Sequence, residues 1–394
     1  MIAKRLQKSL DEGICIRDIF EEGKKMAAVY GAENIFNFTI GNPSVAPPAI
    51  VNESIIRVLD EHNQFEIHGY PANVGFPNVR QHIAAYLNGK YDTHYNEGGI
   101  VMTVGAASAI VVLMHTLLDY EDEVVTFAPH FWEYKSYVET MYGKLVLAQC
   151  NMETLQPDPE TFRAAITPRT KAVLINTPNN PTGAVYTDAS LRAVCAVLEE
   201  KQAEYGHPIY LISDEPYRKL AYDIEVPYLT DYYRNTIVVY SFSKSLSIPG
   251  ERIGYIAIQP DIDDYTEMIA GITASMRYLG LVNAPTLQQK MLLYCLESTV
   301  DTSIYKKTRD ILYGGLTKIG YTCIHPDGAF YLFMKALEED DTIFCEVAKK
   351  EKILLAPGTA FAGRGWVRIS YCVRAEEAEA SLPAFKRLWD RYHK

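Results

Sequence analysis

The sequence predicts an α/β fold: a large domain with a mainly parallel sheet of about seven strands between helices, and a smaller α+β domain. Three observations predict it. From Ile100 to Ile258, apolar strand patterns alternate with helical ones, as expected of parallel strands covered by helices. Beyond about residue 285, long helical patterns take over, with short strand-like runs between them. The 394 residues also exceed the size at which one hydrophobic core stops growing, which favours two domains.

Taken in order, much of residues 1–34 reads as helix: Ile16, Ile19, Phe20, Ala27 and Tyr30 recur at helical spacing, and Gly31 is a stop. Phe36 to Pro43 breaks into a turn, and Pro47-Pro48 opens a helix to about His62. Tyr70 to Arg80 leads into a helix through Leu87. Strands then fit Ile100–Val104, Glu123–Phe127, Lys144–Gln149, Ala172–Asn176, Ile209–Ile212, Thr236–Tyr240 and Ile253–Ile258, with helices over 106–118 and 132–142. The later part carries helices over 284–296 and 303–319, a strand-like Gly328–Phe333, a helix near 341–350, Ile353-Leu-Leu, a strand over Trp366–Ser370 and a final helix from Ala375.

Composition limits the function. Apolar residues make up 48%, enough for cores, and the net charge of −11 argues against a nucleic-acid backbone as the main partner. Seven cysteines stand far apart with no C-x-x-C pair, which fits a reducing cytoplasm. Met1 to Lys8 has positive charge but no apolar stretch behind it, so no secretory signal is expected. The longest apolar run, Ala109–Leu118, is interrupted by His115 and falls short of the roughly 20 residues of a membrane span. The nine histidines show no metal-ligand spacing. G-x-S-x-G, Walker and post-strand G-x-G-x-x-G motifs are absent.

The chemistry concentrates where strands end. Ser241-Phe-Ser-Lys244-Ser-Leu-Ser-Ile-Pro-Gly-Glu-Arg252 follows the apolar Thr236–Tyr240 and sets Lys244 among four serines. A lysine at a buried strand end opens into the crevice where α/β sheets bind ligands, and it becomes nucleophilic through desolvation or a nearby cation such as Arg252. Serine and arginine donors also match phosphate oxygens. Gly105, Ala106, Ala107 and Ser108 sit where a strand meets a helix, a natural anion cup. Asn176-Thr-Pro-Asn-Asn180-Pro-Thr-Gly183 is a tight turn able to aim an amide at a ligand. Asp214, in Ser213-Asp-Glu-Pro-Tyr217, closes another strand with a carboxylate.

Together these motifs resemble the fold-type I pyridoxal-phosphate (PLP) aminotransferases of class I/II, the aspartate-aminotransferase-like group, in the family's order from Gly41 to Arg368. The resemblance implies a PLP-binding large domain over 46–290, and a small domain of 291–394 joined by the N-terminal segment 1–45. It implies that Lys244 forms the cofactor's aldimine and then carries a proton as general base and acid, between the substrate Cα and the cofactor. Ser241, Ser243, Arg252 and the Ala106–Ala107 loop would hold the phosphate. The family often has Ser or Thr at the position of Ala107, so that side-chain donor is missing here. Phe131 would stack on the pyridine ring, with Trp132 the rival position. Asp214 would sit on the ring nitrogen, keeping it protonated, with Glu215 pointing the other way. Tyr217 and Asn180 would bond the phenolic oxygen, and Asn180, Arg368 and the backbone at Gly41 would take the substrate carboxylate. Arg364 lies in a glycine turn and reads as solvated. Tyr70 would reach the partner's phosphate across a homodimer interface.

The implied activity is transfer of an amino group from an L-amino acid to a 2-oxo acid such as 2-oxoglutarate. The alternative is a lyase (β-elimination, C–S lyase type) or decarboxylase on the same scaffold. A PLP-binding regulator is disfavoured because the acidic chain has no room for a basic DNA-binding domain.

Overall fold

The computed structural model describes residues 2–3, 6–7 and 16–393, the side chain of Arg17 excepted. The part of the expected N-terminal helix over 8–15, including Cys15, lies outside the described residues. The helix Ile16–Tyr30 ends one residue before Gly31, which takes φ 86°. Where a turn was expected, β1 (Phe36–Asn37) pairs in parallel with Ile353–Leu354. A two-residue strand is too short to leave a periodic pattern.

The central sheet comprises β2 (Ile100–Thr103), β3 (Glu123–Ala128), β4 (Lys144–Gln149), β5 (Thr170–Asn176), β6 (Tyr210–Asp214), β7 (Thr236–Ser241) and β8 (Gly254–Ile258). Its order is β2-β8-β7-β6-β5-β3-β4, parallel except for β8, which runs antiparallel to both neighbours. Alternation sends Ala172, Leu174 and Ile212 to one face, against helices Gly105–Leu117 and Tyr265–Tyr278. Val173, Ile175 and Leu211 go to the other, against Pro159–Ala165 and Asp188–Tyr205. Because both faces are covered, these strands read as continuous apolar runs.

Arg80, on helix Pro77–Lys90, is buried and donates to the carbonyls of Ile100 at 2.8 Å and Glu97 at 2.6 Å, tying that helix to the start of β2. Since β4 and β5 lie on opposite sides of β3, the chain changes direction there. A crevice opens at the carboxyl ends of the strands.

The later part forms a separate four-stranded sheet from β9 (Cys323–Ile324), β10 (Tyr331–Lys335), β12 (Ala356–Pro357) and β13 (Trp366–Ser370), while β11 (Ile353–Leu354) pairs with β1. Helices Thr302–Ile319, Asp341–Lys350 and Ala375–Tyr392 cover it, with Leu312, Phe344 and Phe385 fully buried in its core. Among the described residues, no helix is long and apolar enough to cross a membrane.

Candidate active site

Three adjacent strands deliver their last residues to one place. Asn176 of β5 is in register with Asp214 of β6, which pairs with β7 at Val239, so β7 extends two residues further to Ser241. These ends, the N-terminus of helix Gly105–Leu117 and residues of the four-stranded sheet enclose a cavity of about 670 Å³. Its lining includes Gly41, Ala106, Ala107, Phe131, Asn180, Asp214, Tyr217, Ser241, Ser243, Lys244, Arg252 and Arg368.

Lys244 lies in the single-turn helix Phe242–Ser245 that begins as β7 ends. Its Nζ donates to the Gly41 carbonyl at 2.8 Å and stands 5.2 Å from the Phe330 ring. Burial brings this amine down to about 8, assisted by the charges of Arg252 and Arg368 and opposed by Cys372. The carbonyl can come so near because residue 41 is glycine: a Cβ there would fall 2.0 Å from the Tyr331 hydroxyl.

On the anion side, Ser241 Oγ and Ser243 Oγ are 2.9 Å apart, and Arg252 Nη1 donates to Ser243 Oγ at 3.3 Å and to the Pro249 carbonyl at 3.0 Å. Among the described residues no side chain caps the facing helix, which leaves its first N–H groups to meet an anion. Gly105 takes φ +81°, and a Cβ there would press on Arg252 Nη2 at 2.8 Å. Ser108 turns away, its hydroxyl donating to the Gly105 carbonyl at 3.0 Å.

Asp214 is 5% exposed, and Tyr134 Oη donates to its Oδ2 at 2.5 Å, while Oδ1 has no partner among the described residues. Burial pushes this carboxyl up to about 7, a rise opposed by the Tyr134 hydrogen bond and aided by Glu215. Glu215 itself faces elsewhere and forms a buried ion pair with Arg218. Asn176 holds the turn after β5, accepting from Asn180 N at 2.7 Å and donating to the Asp214 carbonyl at 2.8 Å.

Arg368 is 3% exposed and lies between the rings of Tyr331 and Phe361, at 4.7 and 4.6 Å. It donates to Asn180 Oδ1 at 3.0 Å and to the Thr39 carbonyl, and its Nε has no partner among the described residues. With its oxygen engaged by Arg368, the Asn180 amide leaves its NH2 for the cavity.

Phe131 and Trp132 both line the cavity, and Arg364 is exposed. Tyr70 is 91% exposed and absent from the lining of its own chain's cavity. Tyr134, Tyr331 and the helix residues Ile16 and Phe20 were not foreseen at this site. Tyr134 lies three positions after Phe131, and the two rings meet edge to face at 5.4 Å.

A model of the family described as "Aminotransferase class I and II" matches residues 33–384. The chain belongs to this aminotransferase family. A probable aspartate aminotransferase of Methanocaldococcus jannaschii is 30% identical over 385 residues, covering 95% of this chain and 96% of the relative. Among solved structures, an aminotransferase from Eubacterium rectale is 44% identical, with a TM-score of 0.97 and complete coverage of both chains. Aspartate aminotransferase from Thermus thermophilus, solved with maleate, is 28% identical with a TM-score of 0.87, covering 98% of this chain and 99% of its own. This aminotransferase is accordingly a PLP-dependent transaminase, and its cavity fits that cofactor. A buried carboxylate with an unpartnered oxygen matches a protonated ring nitrogen. An arginine and two serines beside an uncapped helix start match a phosphate.

Proposed function

We propose that this enzyme transfers the amino group of an L-amino acid to a 2-oxo acid, with 2-oxoglutarate as acceptor, using Lys244 as the reactive amine. Asp214 carries this reading. A carboxylate that gives up water and leaves one oxygen unpartnered is destabilised, and a cationic ring nitrogen is the ligand that relieves it. When bound, PLP supplies the electron sink that makes a substrate's Cα–H acidic.

In this reading Asp214 holds the proton of the ring nitrogen, and Tyr217 and Asn180 bond the phenolic oxygen. Phe131 covers one ring face. Ser241, Ser243, Arg252 and the N–H groups of Ala106 and Ala107 bind the phosphate. Lys244 would provide the covalent link and, once free, would take the proton from the substrate Cα and pass it to the cofactor carbon beside it; the second half-reaction would run the same transfer in the opposite direction. Its desolvation supports this use, because an amine lowered to about 8 is partly neutral at physiological pH. Arg368, walled by two rings, takes the substrate carboxylate with Asn180 beside it, and the Gly41 backbone approaches the same group.

The same reading makes the protein a homodimer in which Tyr70 reaches the partner's phosphate. It is supported by the segment that exposes Phe65 at 90% and Tyr70 at 91%, an apolar surface that a second copy would cover. It also divides the chain into a cofactor domain over 46–290 and a small domain of 1–45 with 291–394, and places the enzyme in a reducing cytoplasm, in keeping with the free thiols among the described residues.

The test is the visible absorbance of purified holoenzyme on adding single amino acids, with Lys244→Ala as control. The cofactor band should be lost with a productive donor and return on adding 2-oxoglutarate. Pyruvate and ammonia accumulating without any acceptor would overturn it in favour of elimination.

A further inference from the structure

Tyr331 joins both halves of the site, and no motif marked it. It begins β10 and is 2% exposed. The β10–β13 register pairs Tyr331 with Ser370 and Phe333 with Arg368, so Tyr331 and Arg368 are diagonal neighbours on one face of the sheet. The Arg368 guanidinium lies 4.7 Å from the centre of the Tyr331 ring. At its other end, the Tyr331 hydroxyl is 2.9 Å from that of Tyr217, with the rings edge to face at 5.7 Å. Among the described residues, this is the only hydrogen bond either hydroxyl makes.

A phenol has one proton to give. If Tyr217 gives its proton to Tyr331, none remains for the cavity. If Tyr331 gives to Tyr217, the Tyr217 proton is free to point at a ligand and is polarised in that direction. The groups facing the pair favour the second arrangement. Arg368 stands over the Tyr331 ring, and its charge is the largest influence opposing burial at that hydroxyl; it acts on the Tyr217 hydroxyl as well, but there it ranks behind the opposing influence of Tyr331 itself, so Tyr331 is the better donor of the two. Cys372 and Tyr305 also face Tyr331, and Asp214 faces Tyr217; each acts against ionisation of the phenol it faces. The missing side chain at Gly41 leaves the space in which the Tyr331 hydroxyl sits.

We propose that Tyr331 is a positioning residue: its hydroxyl donates to Tyr217 and so directs the Tyr217 proton at the phenolic oxygen of PLP, while its ring supports Arg368 against the substrate carboxylate. This rests on the reading above that places Tyr217 on that oxygen.

The experiment is a spectroscopic pH titration of the holoenzyme's visible band for wild type, Tyr331→Phe, Tyr217→Phe and the double variant, together with the Kd of PLP for each apoprotein. Weaker donation leaves the phenolic oxygen more basic, so the midpoint moves upward. In Tyr331→Phe the expected rise is about half to one pH unit, the size of one weakened hydrogen bond, with a roughly threefold to tenfold rise in Kd. The double variant should match Tyr217→Phe. A second substitution, Tyr331→Leu, removes the ring as well. It should reproduce the titration shift and also raise KM for the amino acid roughly threefold, which Tyr331→Phe should not. A shift in Tyr217→Phe with none in Tyr331→Phe or Tyr331→Leu, or additive shifts in the double variant, would overturn the inference alone. No shift in Tyr217→Phe would overturn the placement of Tyr217 and the inference with it. Equal KM in the Phe and Leu variants would overturn the support given to Arg368.

Discussion

Replacing Asp214 by asparagine separates the cost of the buried carboxylate from its use. In the protein without cofactor, burial raises this carboxyl from 3.8 to about 7. Between those values the folded chain keeps a proton that the unfolded chain has released, so wild-type stability falls as pH rises through that window and levels off above it. At about 1.36 kcal/mol per pH unit, moving from pH 5 to pH 8 costs the wild-type apoprotein about 2.5 kcal/mol. The Asp214→Asn variant has no proton to lose at this position and is spared that loss. Its amide does leave a buried donor to satisfy, a cost of about 1–3 kcal/mol, but that cost is the same at both pH values and cancels from the comparison.

The assay is urea unfolding of apo wild type and apo Asp214→Asn at one protomer concentration, at pH 5 and pH 8. Relative to wild type, the variant should gain about 2.5 kcal/mol between the two conditions. With PLP added, the wild type should gain more stability than the variant at pH 8, because cofactor binding stabilises the folded chain and the variant binds it more weakly. A stability difference that does not change with pH would refute the claim that Asp214 is a desolvated carboxylate whose second oxygen awaits a cation.

Further outcomes follow from the same geometry. Arg368→Lys keeps the charge but loses the two-pronged donor, and KM for both amino acid and oxo acid should rise roughly tenfold to a hundredfold, with the Kd of PLP unchanged, as steady-state kinetics and cofactor titration will show. Because burial brings Lys244 down to about 8, the rate of PLP capture by the apoprotein should climb with pH and level off above that value; a rate still rising near the ordinary lysine value would contradict the desolvated amine. If Tyr70 acts across the interface, heterodimers of Tyr70→Phe and Lys244→Ala chains contain one intact site and should bind PLP there with wild-type affinity. If Tyr70 acts within its own chain, they should not.

Much of the fold was legible because strand ends and turns are local. The β5, β6 and β7 patterns each ended within a few residues of Asn176, Asp214 and Ser241, and parallel packing alone carries those ends to one edge of the sheet. Lys244, Asn180 and Arg252 sit in short strings that follow such strands, which is why the structure brings them together with Asp214. What stayed hidden depends on contacts made across distant parts of the chain. Tyr331 meets Tyr217 across 114 positions, and Tyr134 meets Asp214 across 80, in ordinary helix and strand contexts that carry no turn chemistry. Ile16 and Phe20 gave only a helical period; their place in the cavity lining depends on how that helix packs. Tyr70 is a different case: one chain places it on the surface, so a single protomer gives it no role.

The most direct test of the central claim is to reduce the holoenzyme with borohydride, digest it and map the modified lysine by mass spectrometry. Pyridoxyl label is expected on Lys244 alone and is lost when an amino-acid donor is added before reduction. Label at another lysine in wild type, with Lys244 unmodified, would contradict the assignment of the site.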